Sequence, residues 1–445
     1  MTVLDSVPDA MARFHVPGVA VGVLHDGVED IRTFGVTSID NPLPVQPNTL
    51  FQIGSITKTI TATALMRLRE QGKIDLEAPV RRYLPDFRLQ VDDVAQRVTL
   101  RHLLTHTAGF VGDDFTDTGP GDDAVARYVA HLVELPQLTP LGELWSYCNS
   151  GFVVAGRIIE VVTGQSYEQA IRELVFAPLD MRHSFLSGAE VMTHRFVVGH
   201  ISPFDDSGQV EVARPWGLAR SAHPAGGVIS CVPDLLRYAR VMLGQGPSGF
   251  VSPETLELVR SPLAPAGNYA DAVGTAWMLR SVDRVGVVEH SGGTHGQQTT
   301  LKIVPERGYV QVILTNANRG AELHGWLSAL LLREQLGLDT REPSTIDIPR
   351  HRLDKYVGRY EAWAASIDVG AEDSGLVIQL QPKGGFPVKD SPPGPTPPPV
   401  RFRFWKDDHI VALEPPLKGS RAEFVRDAQD QVAYLRLGGR LAKRV

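Results

Sequence analysis

The sequence predicts an α+β fold, an antiparallel sheet with helices packed on it, followed by a small all-β barrel. Three observations lead there. Apolar positions recur at helical spacing through the middle of the chain, while β-type runs lie on either side of that stretch. Neighbouring strand runs are joined by hairpin turns. Beyond about residue 340 the segments are short, rich in β-formers and bounded by turn residues.

In chain order, Gly18 to Leu24 is an apolar strand run that ends at His25-Asp26-Gly27, and Asp-Gly marks a tight turn into a returning strand over Asp30 to Phe34. From Thr59 to Gln71, the positions Ile60, Ala64, Leu65 and Leu68 form a buried helix stripe closed by Gly72. Val125 to Leu135, Phe152 to Val162 and Asp234 to Leu243 read as further helices, the last capped by Asp234. Strand runs follow at Val285 to His290, Thr299 to Val304 and Tyr309 to Thr315, with Pro305 to Gly308 as a hairpin loop. Ala321 to Leu336 is an apolar helix ending at Gly337. Later strands are expected at Gly375 to Gln381, Val400 to Trp405, His409 to Leu413, Glu423 to Asp427 and Val432 to Leu437. The proline-rich stretch Pro387 to Pro399 reads as an exposed loop, since proline cannot donate to a sheet ladder.

At 445 residues the chain exceeds one typical domain of ~100–200 residues. The expected division is residues 1–340 and 341–445. Residues from Arg341 onward carry 17 basic and 14 acidic side chains, whereas the part before it is acidic, and the whole has a net charge of −7. The mildly acidic balance, with a pI near 6.1, argues against a nucleic-acid partner and gives no electrostatic reason to visit an anionic membrane. Two cysteines, Cys148 and Cys231, exclude a disulfide scaffold and a thiolate-rich zinc site. No signal-peptide pattern and no membrane-spanning run is visible, so a cytoplasmic location is expected.

The chemistry is carried by three segments. Ser55 follows a turn glycine and precedes a helix, and Lys58 lies one helical turn on, so its side chain emerges on the same face. A serine hydroxyl needs a neighbouring base, and a lysine serves when burial and nearby positive charge disfavour its ammonium form. By itself Ser-x-x-Lys equally describes a helix cap followed by a surface lysine. Tyr147-Cys148-Asn149 comes 92 residues after Ser55; residues two apart can face one cleft. Tyr147 can shuttle protons if adjacent cations lower its pKa, and Asn149 can bind a substrate amide and steady Lys58. The plain alternative for Tyr147 is a core aromatic. Third, His290-Ser291-Gly292-Gly293 ends a strand; paired glycines permit close approach of a ligand, though they also make ordinary turns. The Gly293 and Ser55 N–H groups can form an oxyanion hole, in which one donor is worth ~2.7–4 kcal/mol.

Ser-x-x-Lys, Tyr-x-Asn and a Lys-or-His-x-Gly strand, in this order, resemble the motif set of the serine β-lactamases and penicillin-binding proteins. Gly72 to Leu76, Tyr83-Leu84-Pro85, Leu100 to Gly109 and Pro224 to Gly227 resemble segments of the class C-like members. The resemblance implies the sheet described above with a helical lobe opposite and the site between. It implies Ser55 as acylated nucleophile, Lys58 as its activator, Tyr147 as proton shuttle and Asn149 as substrate and lysine anchor. His290 with Gly292 and Gly293 would bind substrate and oxyanion. His290 stands where β-lactamases usually have lysine, a departure shared with esterase, D-aminopeptidase and related peptidase members. It removes a fixed cation for a carboxylate at neutral pH.

The expected activity is therefore a serine hydrolase cleaving a small-molecule ester or peptide, with D-residues among the candidates, and with no metal or other cofactor. Alternatives on the same fold are an acyltransferase or synthase, a weak β-lactamase and a non-catalytic assembly protein. The resemblance implies a place at the cleft rim for the acidic loop Gly112 to Asp123, with Asp113 in it, where it would favour cationic substrates, but the loop reads first as a solvated one; His102 and His106 read as non-metal residues, His106 as a structural hydrogen-bonder, and Cys148 as a small buried apolar residue. Tyr356-Val357-Gly358-Arg359-Tyr360 resembles the opening of the lipocalin-like barrel appended to some peptidase members. Such an appendage has two roles open to it, restricting access to the cleft or holding subunits together in a homo-oligomer.

Overall fold

The computed structural model describes residues 2–205 and 207–445. Seven strands form one sheet: β1 Gly18–His25, β2 Val28–Gly35, β3 Ala272–Val273, β4 Met278–Val282, β5 Val285–Thr294, β6 Gln297–Val304 and β7 Tyr309–Thr315. Their spatial order is β2-β1-β7-β6-β5-β4-β3, and every pairing is antiparallel. The N-terminal hairpin thus joins a sheet completed by strands from the far side of the helical region. The labelled helices are α1 Val7–Phe14, α2 Thr57–Glu70, α3 Ala124–His131, α4 Asn149–Thr163, α5 Val232–Met242 and α6 Gly320–Leu336.

Alternate residues of a strand face opposite sides. Val19, Val21 and Val23 of β1 join a core with Leu323, Leu327 and Leu331 of α6. Ala20 and Leu24 join the larger core that holds Leu235 and Leu236 of α5 and most of the helical region. Both faces are covered, which is why β1 reads as a continuous apolar run. Gly22 lets α5 approach closely, since a Cβ there would lie 2.3 Å from Val232.

Several expectations are corrected. Asp234 does not cap α5: Cys231 occupies that position and Asp234 is the third helical residue, because Pro233 fits the first turn, where no N–H is needed. The helix expected over Val125 to Leu135 ends at His131 and continues as the 3-10 turn Leu132–Glu134. The strand from Val285 does not stop at His290. It runs through Ser291, Gly292 and Gly293 to Thr294, because β6 pairs with it from Val288 to Thr294.

Beyond the sheet, eight strands close into an antiparallel barrel: β8 Gly358–Glu361, β9 Ala365–Glu372, β10 Gly375–Pro382, β11 Val400–Lys406, β12 His409–Ala412, β13 Arg421–Arg426, β14 Val432–Leu437 and β15 Arg440–Arg444. Tyr360 opposite Arg444 closes it, and Tyr356, Tyr360, Phe402, Phe404 and Phe424 fill its own core. The prolines from 387 to 399 lie between β10 and β11, outside any strand. The barrel is seated on the rest of the chain. Asn268 Nδ2 donates to the Ala422 carbonyl at 2.9 Å and Arg436 Nε to the Trp145 carbonyl at 3.1 Å. Among the described residues no helix is long and apolar enough to cross a membrane.

Candidate active site

The strand pair Phe51–Gln52 with Ile229–Ser230 feeds the single 3-10 turn Gly54–Ile56, which runs directly into α2. Gly54 has φ 51° and a Cβ on it would lie 2.7 Å from the Gly293 nitrogen, so only glycine brings these two backbones together. Gly292 serves the same approach. A Cβ there would lie 2.0 Å from the Ile53 carbonyl oxygen, and Thr299 Oγ1 donates to that oxygen at 2.9 Å. The nucleophile turn is in this way stitched to β5.

Ser55 is half-buried, and Lys58 projects from the first turn of α2 with no exposed surface. Lys58 Nζ lies 2.9 Å from Ser55 Oγ and 2.6 Å from the Ala225 carbonyl. Burial, and then the charge of Arg440, hold its ammonium pKa well below the usual range. A neutral amine so placed donates to Ala225 and keeps its lone pair for the Ser55 proton.

Tyr147 lies 4.9 Å from Lys58 Nζ, measured to the ring centre. Its ring stacks on His106 at 4.4 Å, and His106 Nδ1 accepts the Cys148 N–H at 2.9 Å. His106 therefore shapes the second motif, as a structural hydrogen-bonder should. The Tyr147 hydroxyl is buried without a full hydrogen bond among the described residues. The expectation that cations lower its pKa fails: burial dominates and raises it, with Arg440 and Ser55 offsetting only part. The group is a neutral phenol able to donate and accept, not a standing phenolate.

Asn149 opens α4 and lines the same cavity as Tyr147. It does not steady Lys58 directly. Its Nδ2 donates to Asp113 Oδ1 at 2.7 Å, and the hydrogen bonds of Lys58 go to Ser55 and Ala225. Cys148, between them, turns inward as expected; its Sγ also accepts the Gly151 N–H at 3.3 Å, and burial pushes its pKa up to about 12. His290 Nδ1 lies 2.6 Å from the Ser291 carbonyl. A carbonyl only accepts, so this nitrogen carries the proton and Nε2 keeps a lone pair. Burial, then Lys58, bring the His290 pKa down to about 3, so the ring is neutral.

These groups line one cavity of about 620 Å³. Ser55, Tyr147, Asn149, His290, Gly292 and Gly293 are all on its wall, with Lys58 buried behind Ser55. Two contributors, the Ala225 carbonyl and Arg440, escaped the sequence reading, and of the two places open to the Asp113 loop, cleft rim and solvent, Asp113 takes the first. Asp113 is not part of a solvated loop: it bonds Asn149 and pairs with Arg440, while Asp114 beside it is buried. The Ala225 carbonyl anchors Lys58. Arg440 enters from the β14–β15 turn, its guanidinium 4.5 Å from the centre of the Tyr147 ring. The neighbouring Gly439 carbonyl accepts the Tyr147 N–H at 2.8 Å. Gly438-Gly439 was readable as a hairpin turn; what it touches was not.

His183, Cys231 and Asp234 bring metal-type ligand atoms within 4.8 Å of one another. The Asp234 carboxylate is already taken up by the His183 N–H at 2.7 Å, Ser184 Oγ at 2.9 Å and Arg237 at 2.8 Å. That is a helix-anchoring cluster, away from the cavity.

A family profile described as Beta-lactamase matches residues 5–332. The chain is 34% identical over 350 residues to penicillin-binding protein 4 of Amycolatopsis lactamdurans, covering 75% of this chain and 91% of that protein. It is 30% identical over 331 residues to esterase EstB of Burkholderia gladioli, covering 65% and 82% respectively. Among solved structures, SurE superposes with a TM-score of 0.74 at 24% identity, covering 100% of this chain and 98% of that one. The octameric penicillin-binding protein homologue from Pyrococcus abyssi gives 0.67 at 25% identity, covering 99% of each. The chain belongs to the beta-lactamase family of serine hydrolases.

Proposed function

We propose that this chain hydrolyses small esters or peptide-type amides through an acyl-enzyme on Ser55. The observation that carries the reading is the fully buried Lys58, whose Nζ lies 2.9 Å from Ser55 Oγ. Lys58 takes the serine proton as Oγ attacks the substrate carbonyl. The N–H groups of Ser55 and Gly293 hold the developing oxyanion. The neutral Tyr147 phenol relays a proton to the leaving group and later takes one from the attacking water. Asn149, fixed by Asp113, binds the substrate amide. Penicillin-binding protein 4 and esterase EstB, the two relatives described above, support acyl chemistry of both kinds.

The test is a panel of p-nitrophenyl esters, D- and L-aminoacyl anilides and nitrocefin, run with the wild type and Ser55→Ala. Ser55-dependent turnover of at least one ester or anilide is expected. Equal turnover by both proteins rejects the reading.

Two further expectations belong to this proposal. Residues 1–340 and 341–445 form two folding units, the second resembling a lipocalin barrel. The chain self-associates, as the octameric Pyrococcus abyssi homologue suggests. Light scattering on the eluting protein tests the second point, and a particle of 48.6 kDa would exclude it.

A further inference from the structure

The barrel is closed around its circumference, so it meets its surroundings at its two ends. Alternate strand residues face opposite sides, and one set points into the barrel. Ile367 and Val369 of β9, Ile378 and Leu380 of β10, and Leu435 and Leu437 of β14 belong to that set. Ile367 pairs directly with Leu380, near the start of β9 and the end of β10, and Leu437 is the last residue of β14. These three form the last inward-facing layer at one end of the barrel, and all three line the cavity that holds Ser55. We propose that this end of the barrel binds the leaving group of the substrate, so that preferred esters or amides carry an extended apolar alcohol or amine. The proposal deepens the hydrolase reading and rests on it.

The layer is a floor rather than a passage, because Tyr360, Phe402, Phe404 and Phe424 pack the barrel beneath it. Leu417, from the loop between β12 and β13, adds a fourth aliphatic side chain to the cavity wall. Leu380, Leu417 and Leu437 are only partly buried, so they keep apolar surface for a ligand. An apolar wall beside a few fixed polar groups is the usual construction of a small-molecule site. Each ligand methylene buried there is worth about fourfold in affinity or in kcat/KM.

The side of Ser55 on which the floor lies selects the part of the substrate. The Gly439 carbonyl, two residues after Leu437, accepts the Tyr147 N–H at 2.8 Å. The barrel end therefore adjoins Tyr147, the group that hands a proton to the leaving group in the proposed reaction. As Ser55 Oγ bonds to the carbonyl carbon, the C–O or C–N bond to the leaving group breaks. The proton from Tyr147 completes the alcohol or amine. The acyl carbonyl stays with the Ser55 and Gly293 N–H groups, and the departing group is released against the barrel end.

Pairs of isomers test the proposal on the full chain. Hexyl acetate and ethyl hexanoate share one composition and differ in whether the chain sits in the leaving group or in the acyl group. The wild type is expected to hydrolyse hexyl acetate with kcat/KM at least about tenfold above that for ethyl hexanoate, and about 30- to 250-fold above that for ethyl acetate. Equal values for the two isomers, or a preference for ethyl hexanoate, overturn the proposal. Leu380→Gln and Leu437→Gln should each lower the hexyl-to-ethyl acetate ratio by about tenfold, a ratio in which any loss of folded protein cancels. An unchanged ratio in both variants overturns the proposal, and should neither fold, the isomers decide alone. Wild-type hydrolysis of p-nitrophenyl acetate, lost in Ser55→Ala, reads the hydrolase assignment separately. If no ester is turned over, calorimetric titration of Ser55→Ala with the isomers N-hexylacetamide and N-ethylhexanamide decides. The first is expected to bind at least about tenfold more tightly; equal affinities, or binding by neither, overturn the proposal.

Discussion

Replacing Lys58 by methionine removes the amine while keeping the volume of the side chain. An ordinary lysine with a pKa near 10.4 is unprotonated in only about one molecule in a thousand at pH 7.4. Here burial, and then Arg440, shift that balance toward the free amine, so a larger share of the protein holds a ready base. General-base assistance is worth about 10²–10⁴ in rate. Lys58→Met should therefore lower kcat/KM on p-nitrophenyl acetate by about 100- to 10 000-fold. Stability should change little. The Ala225 carbonyl loses its donor, which costs about 1–3 kcal/mol, but a buried amine no longer has to be desolvated. Lys58→Arg should be as inactive, since a guanidinium does not deprotonate. The wild-type kcat/KM should fall on the acid side as Lys58 takes up its proton. A Lys58→Met protein that unfolds like the wild type yet keeps its kcat/KM within tenfold would refute the reasoning.

Two more outcomes follow from the packing. Gly292→Ala would place its methyl 2.0 Å from the Ile53 carbonyl and push the nucleophile turn off β5; a loss of activity of about 100-fold or more is expected, and wild-type rates would contradict the stitching of the two segments. His324 is held neutral, its pKa brought down to about 3 by burial and then Lys302, while the unfolded chain protonates near 6.5. Between those values the unfolded state binds the extra proton, so stability falls as the pH falls, by about 2 kcal/mol at pH 5 for this group. Urea unfolding of His324→Gln should lose about that much less than the wild type between pH 7 and pH 5, and identical losses would show that His324 is not buried neutral.

Local signals carried far in this chain. The Asp26-Gly27 turn, the helical stripe after Ser55 and the strand Tyr309–Thr315 are written in adjacent residues, and each appears within a few positions of where the sequence places it. The candidate catalytic segments are likewise compact, three or four residues each. What could not be read depends on contacts between distant parts of the chain. Gly292-Gly293 looks like a turn until β6 is known to pair across it. Asp113 looks like one more solvated acid until Arg440, 327 residues away, is found against it. Tyr147 seemed open to cationic tuning, but the low-dielectric surroundings supplied by His106, Trp145 and the barrel decide its protonation instead.

The central claim is that Ser55 itself carries the acyl group. Rapid acid quenching of the wild type during turnover of a p-nitrophenyl ester, followed by peptide mapping by mass spectrometry, tests it most directly. The account predicts an acyl mass increment on the peptide containing Ser55, absent from Ser55→Ala. An increment on Cys148, or one that persists in Ser55→Ala, would contradict it.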